Sequence, residues 1–263
     1  MQWETKRVLV TVKAYPEVSK AYGEIVCLAG ITDNGEFIRL YPVPFELFRG
    51  KDRIRKYTWV DAKCAKVDDY QHRKDSYKVK TEFGKCMIKK IDESLTGISG
   101  KTPWDQRSKI VLPLVSSSLE DLESRFSQDK SSLGLIKIQD LLDFYSKKPI
   151  EEIEIERSML IQKTLFGGSR TLLDKIPHIF YYKFHCSPDC TRIHDISIED
   201  WEVFESFRSW SDIYLEKEIL WQKLRQRYYE DFKEKNLHFF MGTHSRWPIW
   251  MIIGAYYPPK IRE

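Results

Sequence analysis

The sequence predicts an α+β fold: a β-rich basic N-terminal part, a mixed middle, and a C-terminal helix pair with a closing β-hairpin. Three observations predict it. Strand-like runs crowd the first ninety residues. Leu220, Leu224, Tyr228 and Phe232 recur at helical spacing near the other end. Strand and helix patterns are segregated along the chain, which argues against an alternating parallel sheet.

Taken in order, residues 7–15 are rich in β-branched side chains and predict a strand ended by Pro16. Residues 23–32 predict a second strand. Asp33-Asn34-Gly35 is a hairpin turn, because Asn-Gly supplies the positive φ angles a tight turn needs. Residues 36–41 return as a third strand, with Phe37, Arg39 and Tyr41 on one face and Ile38 and Leu40 on the other. Pro42-Val43-Pro44 is expected to break it. Residues 57–67 and 85–91 predict further strands. The stretch from Asp92 to Ser108 is turn-rich and marks a boundary. Ser117 with Glu120 opens a short helix whose apolar side is Leu119, Leu122 and Phe126. Residues 135–145 read as strand then helix, and 150–156 as an edge strand with an acidic outer face. Phe166-Gly167-Gly168-Ser169-Arg170 lacks the lysine and spacing of a P-loop and reads as a connector. A strand over 178–185 leads into helices over 198–209 and 212–235. Residues 237–242 and 249–257 then form the closing hairpin. The expected divisions are 1–95, 96–175 and 176–263.

The 263 residues suffice for one large domain or two small ones. No apolar run approaches the roughly 20 residues of a membrane span, and the first residues carry no apolar signal segment. Five irregularly spaced cysteines do not suit a secreted disulfide framework, so a cytoplasmic location is expected. The net charge of +4 is unevenly spread: residues 1–110 hold 22 Lys/Arg against 15 Asp/Glu, and the remainder 21 against 24. The basic half is the candidate for a polyanionic partner, RNA or DNA. Arg39, Arg49, Lys51, Arg53, Arg55 and Lys56 are the expected phosphate contacts, extended by Arg73 and Lys74. Tyr41, Phe45 and Tyr57 are expected to pack near the strand or stack on its bases.

One motif carries metal chemistry. Cys186, Cys190 and His194 follow one another at four-residue steps, with Ser-Pro-Asp turn chemistry inside the cysteine pair. Thiolate and imidazole in such a knuckle suit a structural zinc. The fourth ligand is open among His185, His178, His238, His244 and water. The alternative is a packed turn of reduced thiols with His194 as a polar cap. No catalytic constellation is complete. Asp61-Ala62-Lys63 matches half of a restriction-type nuclease core but lacks fixed upstream acids. The order of ligands around Asp200 and Glu202 does not match a zinc deaminase.

Several stretches together resemble an uncharacterised prokaryotic family. They are Ala14-Tyr15-Pro16-Glu17-Val18-Ser19 with the two strands after it, the Cys186/Cys190/His194 knuckle followed by Asp200-Trp201-Glu202, and the Phe239-Phe240-Met241-Gly242 and Ile252-Ile253-Gly254 strands. In overall character the chain is also similar to accessory subunits of short prokaryotic Argonaute systems. That likeness implies a heterodimer in antiviral defence, in which this chain helps a short Argonaute hold guide and target strands. The function read from the sequence is therefore a non-catalytic nucleic-acid-binding accessory subunit. The alternatives are a metal-dependent nuclease or base-modifying enzyme, and a protein-interaction scaffold.

Overall fold

The structure, a computed structural model, describes residues 2–19, 23–67, 73–82, 85–98, 100–147, 176–244 and 249–260. Five strands of the N-terminal part close into a barrel: β1 (Glu4–Lys13), β2 (Gly23–Thr32), β3 (Phe37–Pro44), β4 (Trp59–Lys66) and β5 (Ser76–Val79). The ring runs β1-β2-β3-β5-β4 and returns to β1, with β3 and β5 parallel and every other pair antiparallel. A further strand, β6 (Ile88–Asp92), adds to the outside edge of β4. This five-stranded Greek-key ring has the strand order of an OB-type barrel.

Alternation fills the barrel. Val8 and Val10 from β1, Val26 and Leu28 from β2, Ile38 and Leu40 from β3, and Val60, Ala62 and Cys64 from β4 form its core. The β3–β4 connection begins with a 3₁₀ turn, Phe45–Phe48, and drops Phe45, Phe48 and Ile54 onto that core. The opposite faces of β1 and β2 are apolar as well. Leu9, Val12, Ala29 and Ile31 pack outward against Leu133, Leu135, Phe240 and Ile253 of the C-terminal part. A strand buried on both sides explains why Val8–Val12 is almost continuously apolar.

The C-terminal part contains two sheets. One orders Val115–Ser116, β7 (Leu133–Lys137), β11 (His238–Thr243) and β12 (Trp250–Tyr256). The other orders β8 (Asp140–Lys147), β9 (Ile179–His185) and β10 (His194–Ser197). An Ile198–Ile252 bridge links them. Helix α1 (Trp104–Val111) follows the barrel, and α2 (Leu119–Asp129) precedes β7. Helix α3 (Trp201–Ser211) and α4 (Lys217–Arg225, continued by a π turn Gln226–Glu230 and by Asp231–Lys233) cover β8–β10. Phe144, Phe180, Tyr182, Phe184, Tyr228 and Phe239 are buried there, with neighbouring rings in stacked, tilted or edge-on contact.

The mixed α+β class is as the sequence predicts, and the elements differ from it at several points, among them β5 and α1, which the sequence reading does not place. The proline-rich Pro42-Val43-Pro44 lies within β3, whose pairing with β2 continues to Pro44 after a register shift. Residues 135–145 form the end of β7 and most of β8, not strand then helix, because both pair with later strands. The cap of α2 is Ser118, whose hydroxyl accepts from the Asp121 N–H. The cap of α3 is Asp200, so β10 intervenes between the knuckle and the helix. The expected edge strand at 150–156 and the glycine connector at 166–170 lie outside the described residues. No helix among the described residues is long and apolar enough to cross a membrane.

Candidate metal centre and basic surface

Four side chains from three elements meet at the end of β9. Cys186 follows the strand directly. A turn, in which the Cys190 N–H donates to the Ser187 carbonyl at 3.1 Å, brings Cys190 back over it. His194 starts β10 and is held in register by pairing with Phe184, whose ring lies 5.2 Å from its own. The fourth is Glu120, in the first turn of α2. Gly134 makes that approach possible: Leu122 of α2 sits so close to β7 that a Cβ at Gly134 would lie 2.3 Å from its methyl carbon.

Cys186 Sγ and Cys190 Sγ each lie 3.3 Å from His194 Nε2. Glu120 lies 3.7 Å from Cys186 Sγ and 3.5 Å from His194 Nε2. All four ligand atoms fall within 4.8 Å of one another. A tetrahedral ion with metal–sulfur bonds of about 2.3 Å and metal–nitrogen or –oxygen bonds of about 2.0–2.1 Å separates its ligands by roughly 3.3–3.8 Å. The spacings therefore fit a single metal ion held by two sulfurs, one nitrogen and one carboxylate oxygen.

Electrostatics favour the same reading. Burial lowers the His194 pKa, keeping the imidazole neutral as a ligand must be, although Glu120 pulls the other way. Burial opposes charge on Glu120. Its own backbone N–H, the Ser118 hydroxyl, His194 and the Cys186 thiol outweigh that and lower its pKa. On Cys186 the balance runs the other way: burial, with Cys190 and Glu120 beside it, pushes the thiol up to about 11. Of the other histidines, His178 bonds Ser146 and packs on Phe207, while the buried His238 ring lies 3.0 Å from the Asn236 carbonyl. Against burial, the Cys186 backbone and the His185 side chain lower the Cys190 pKa. Glu120 was visible in the sequence only as a capping residue. Nothing in its local pattern joins it to a cysteine 66 residues away.

The basic residues separate into two groups. Arg39 and Lys56 are corrections to the expected phosphate contacts. Arg39 is 5 % exposed and donates to the Ser132 carbonyl and hydroxyl and to the Thr243 carbonyl. The face it shares with Phe37 is covered by the C-terminal sheet. Lys56 lies beneath the start of α3, 3.2 Å from Glu202 and 3.8 Å from the buried Asp200 carboxylate. Its pKa rises because these two acids outweigh burial. Arg73 is drawn to the same seam as Arg39 and donates to the Thr243 carbonyl at 3.1 Å.

The rest remain toward solvent. Arg49, Lys51 and Arg53 are exposed on the β3–β4 connection, and Arg55 is half-buried beside Glu93. Arg49 pairs with Glu24 and stands over the Phe45 ring. Lys74 pairs with Asp129 across an exposed surface, and Tyr41 is 41 % exposed. Asp61, of the partial nuclease pattern, is bound by Arg7 at 3.0 Å, and Lys63 lies 4.0 Å from Glu82. No second carboxylate is paired with them as a metal-binding set among the described residues.

Two family models match the chain: residues 4–113 match Domain of unknown function (DUF8758), and residues 115–263 match Domain of unknown function (DUF8757). The first spans the barrel and the second contains all four candidate ligands. No curated protein matches the sequence. Among solved structures, one titled "Structure of murine DNA binding protein bound with ds DNA" aligns over 100 % of this chain and 98 % of that one. Its TM-score of 0.31 and identity of 10 % are too low to carry an argument.

Proposed function

The chain belongs to the DUF8757 family through residues 115–263, with a DUF8758 region ahead of it, and from that premise we propose a non-catalytic nucleic-acid-binding protein. The observation that carries the reading is the β3–β4 connection of the barrel. It presents Arg49, Lys51 and Arg53 to solvent, with Arg49 over the buried Phe45 ring, on a barrel architecture that elsewhere binds oligonucleotides. The usual ligand face of such barrels, the outside of β2 and β3, is occupied here by the chain's own C-terminal sheet. A strand would therefore track the connection and the neighbouring Arg55 and Lys90, which meet at Glu93. Contacts of this kind neutralise phosphates and favour no base sequence.

Zinc is the ion we assign to the knuckle, because two thiolates, an imidazole and a carboxylate in tetrahedral spacing suit it best. With four protein ligands it would be structural, tying α2 to β9 and β10. The narrower role, accessory subunit to a short Argonaute in a defence complex, is proposed on overall character alone. Copurification of the chain with its genomic neighbours tests it, and recovery without an Argonaute-like partner would overturn it.

The direct test of the function is fluorescence anisotropy with single-stranded RNA and DNA at increasing salt. The expected result is a linear fall of log affinity with log salt and little dependence on sequence. Salt-independent binding, or none at 50 mM salt, would remove the reading.

A further inference from the structure

A cavity of about 230 Å³ lies where the barrel meets the first turn of α3. Its walls include Lys13 at the end of β1, Phe48, Arg53, Arg55 and Lys56 of the β3–β4 connection, and Trp201 and Glu202 of α3. The charges in it are unequally matched. Lys56 serves both Asp200 and Glu202, and Arg55 is offset by Glu93. Lys13 is different. Its ammonium stands over three rings, 4.4 Å from Trp201, 5.2 Å from Phe48 and 5.9 Å from Phe45, and makes no ion pair or hydrogen bond among the described residues. Arg53 is exposed at the mouth, also without an ion pair among the described residues. Two cations, one deep and one shallow, thus face a cavity that also offers aromatic surface.

We propose that this cavity binds the phosphomonoester of a nucleotide, with Lys13 and Arg53 holding the phosphate and Trp201 and Phe48 lining the place of the attached sugar or base. The volume falls below the roughly 300–1,000 Å³ of pockets for drug-sized ligands, so it admits one phosphorylated unit and not a run of them. The exposed arginines and lysine of the same connection lead toward its mouth, which makes the phosphorylated end of a strand the natural occupant. The inference rests on the strand-binding reading for that source alone; a free mononucleotide offers the same chemistry. Burial lowers the Lys13 pKa to about 8, against the pull of Glu202, Asp200 and Glu205 and with Lys56 adding to the fall. An incoming phosphate dianion would restore the proton. Affinity for the phosphate is then expected to weaken between pH 7 and 9 as Lys13 discharges.

The test uses the full chain and three probes: a single-stranded 12-mer with a terminal phosphate, the same 12-mer with terminal hydroxyls, and adenosine monophosphate as competitor. The phosphorylated strand is expected to bind at least about tenfold tighter at pH 7. Lys13→Met is expected to erase that preference and to leave binding of the hydroxyl strand unchanged. In the unaltered protein the preference is expected to shrink at pH 9, a readout independent of whether the variant folds. Equal binding of the two strands at pH 7 would overturn the pocket and leave the strand-binding reading standing. Calorimetric binding of adenosine monophosphate by itself, without any strand binding, would do the reverse.

Discussion

Arg39 donates to both the carbonyl and the hydroxyl of Ser132, each at 3.1 Å, across 93 residues of chain. This joins the third barrel strand to the residue just before β7. The Ser132 hydroxyl and N–H in turn donate to Asp75, 2.5 and 2.7 Å away, and the Arg39 N–H donates to the Asp75 carbonyl. Arg39 reaches the Thr243 carbonyl as well. The two family regions are therefore riveted by a buried polar network in which one guanidinium serves three oxygen acceptors across the seam. Arg39→Met should lower stability by about 2–4 kcal/mol, because the Ser132 and Thr243 carbonyls each lose one of their donors, leaving the Thr243 N–H and Arg73, and Asp75 loses a nearby cation. Arg39→Lys should rescue little, since one ammonium cannot replace the planar fork. Urea unfolding checks this. A midpoint unchanged in Arg39→Met would mean the network contributes no net stability.

Metal content gives the second prediction. The chain as purified should carry about one zinc, and chelation should lower its melting temperature. Glu120→Gln should weaken metal binding on the order of tenfold or more, and Cys186→Ser should abolish it. Hydrogen exchange after chelation should rise in α2, β9 and β10 and stay unchanged in the barrel, because the four ligands all lie in the C-terminal part. Zinc retained by Glu120→Gln with full affinity would remove Glu120 from the ligand set.

These two sites show what the sequence can carry. Cys186, Cys190 and His194 were legible because a turn puts ligands four residues apart on one side, a local property. Glu120 was not, because its place depends on α2 lying across β7. Four of the five barrel strands are legible from alternation, β-branched content and Asn34-Gly35, while the short β5 is not. Their closure was not, since the β1–β4 and β3–β5 pairings are long-range. Arg39 was misread for a related reason. Alternation assigns it to the face opposite Ile38 and Leu40, but it cannot say that a second sheet covers that face. Lys56 carried no local sign of Asp200 and Glu202, which arrive from the far end of the chain.

Packing under α2 yields a third prediction. Gly134→Ala would press a methyl group into Leu122, whose nearer methyl carbon stands 2.3 Å from the new Cβ. Either α2 lifts or β7 shifts, at a cost of about 1–3 kcal/mol. Because α2 carries Glu120, the variant should also bind zinc more weakly, read by competition with a chromogenic chelator. A loss of stability with zinc affinity intact would mean that Glu120 adjusts independently of the helix.

Lys13 makes stability depend on alkaline pH. Its folded pKa of about 8 lies below the ordinary lysine value of 10.5, so between these values the unfolded chain binds the extra proton. Stability from this group rises as pH climbs from 8 to 10.5, and the group is a net cost below 8. Lys13→Met should therefore be more stable than the parent near pH 7, by on the order of 1–3 kcal/mol. The advantage should fade toward pH 10. Chemical denaturation of both proteins at pH 7, 8.5 and 10 measures the difference, and a pH-independent gap would show that Lys13 is not desolvated in the folded state.

The basic surface supplies the last prediction, because its members are separable by burial. Lys51 and Arg53 are exposed and no ion pair engages them among the described residues, so each is free to displace counterions from a phosphate backbone. Lys51→Ala and Arg53→Ala should each reduce the slope of log affinity against log salt by about one, uniformly across sequences. Arg49→Ala should do less, since Arg49 is already paired with Glu24 at 2.9 Å and must give up that contact to bind phosphate. Lys74→Ala tests the far edge, where Asp129 competes for the same ammonium. If Lys51→Ala and Arg53→Ala keep the parental slope while Lys74→Ala loses it, the strand follows the β5 side of the barrel and not the β3–β4 connection.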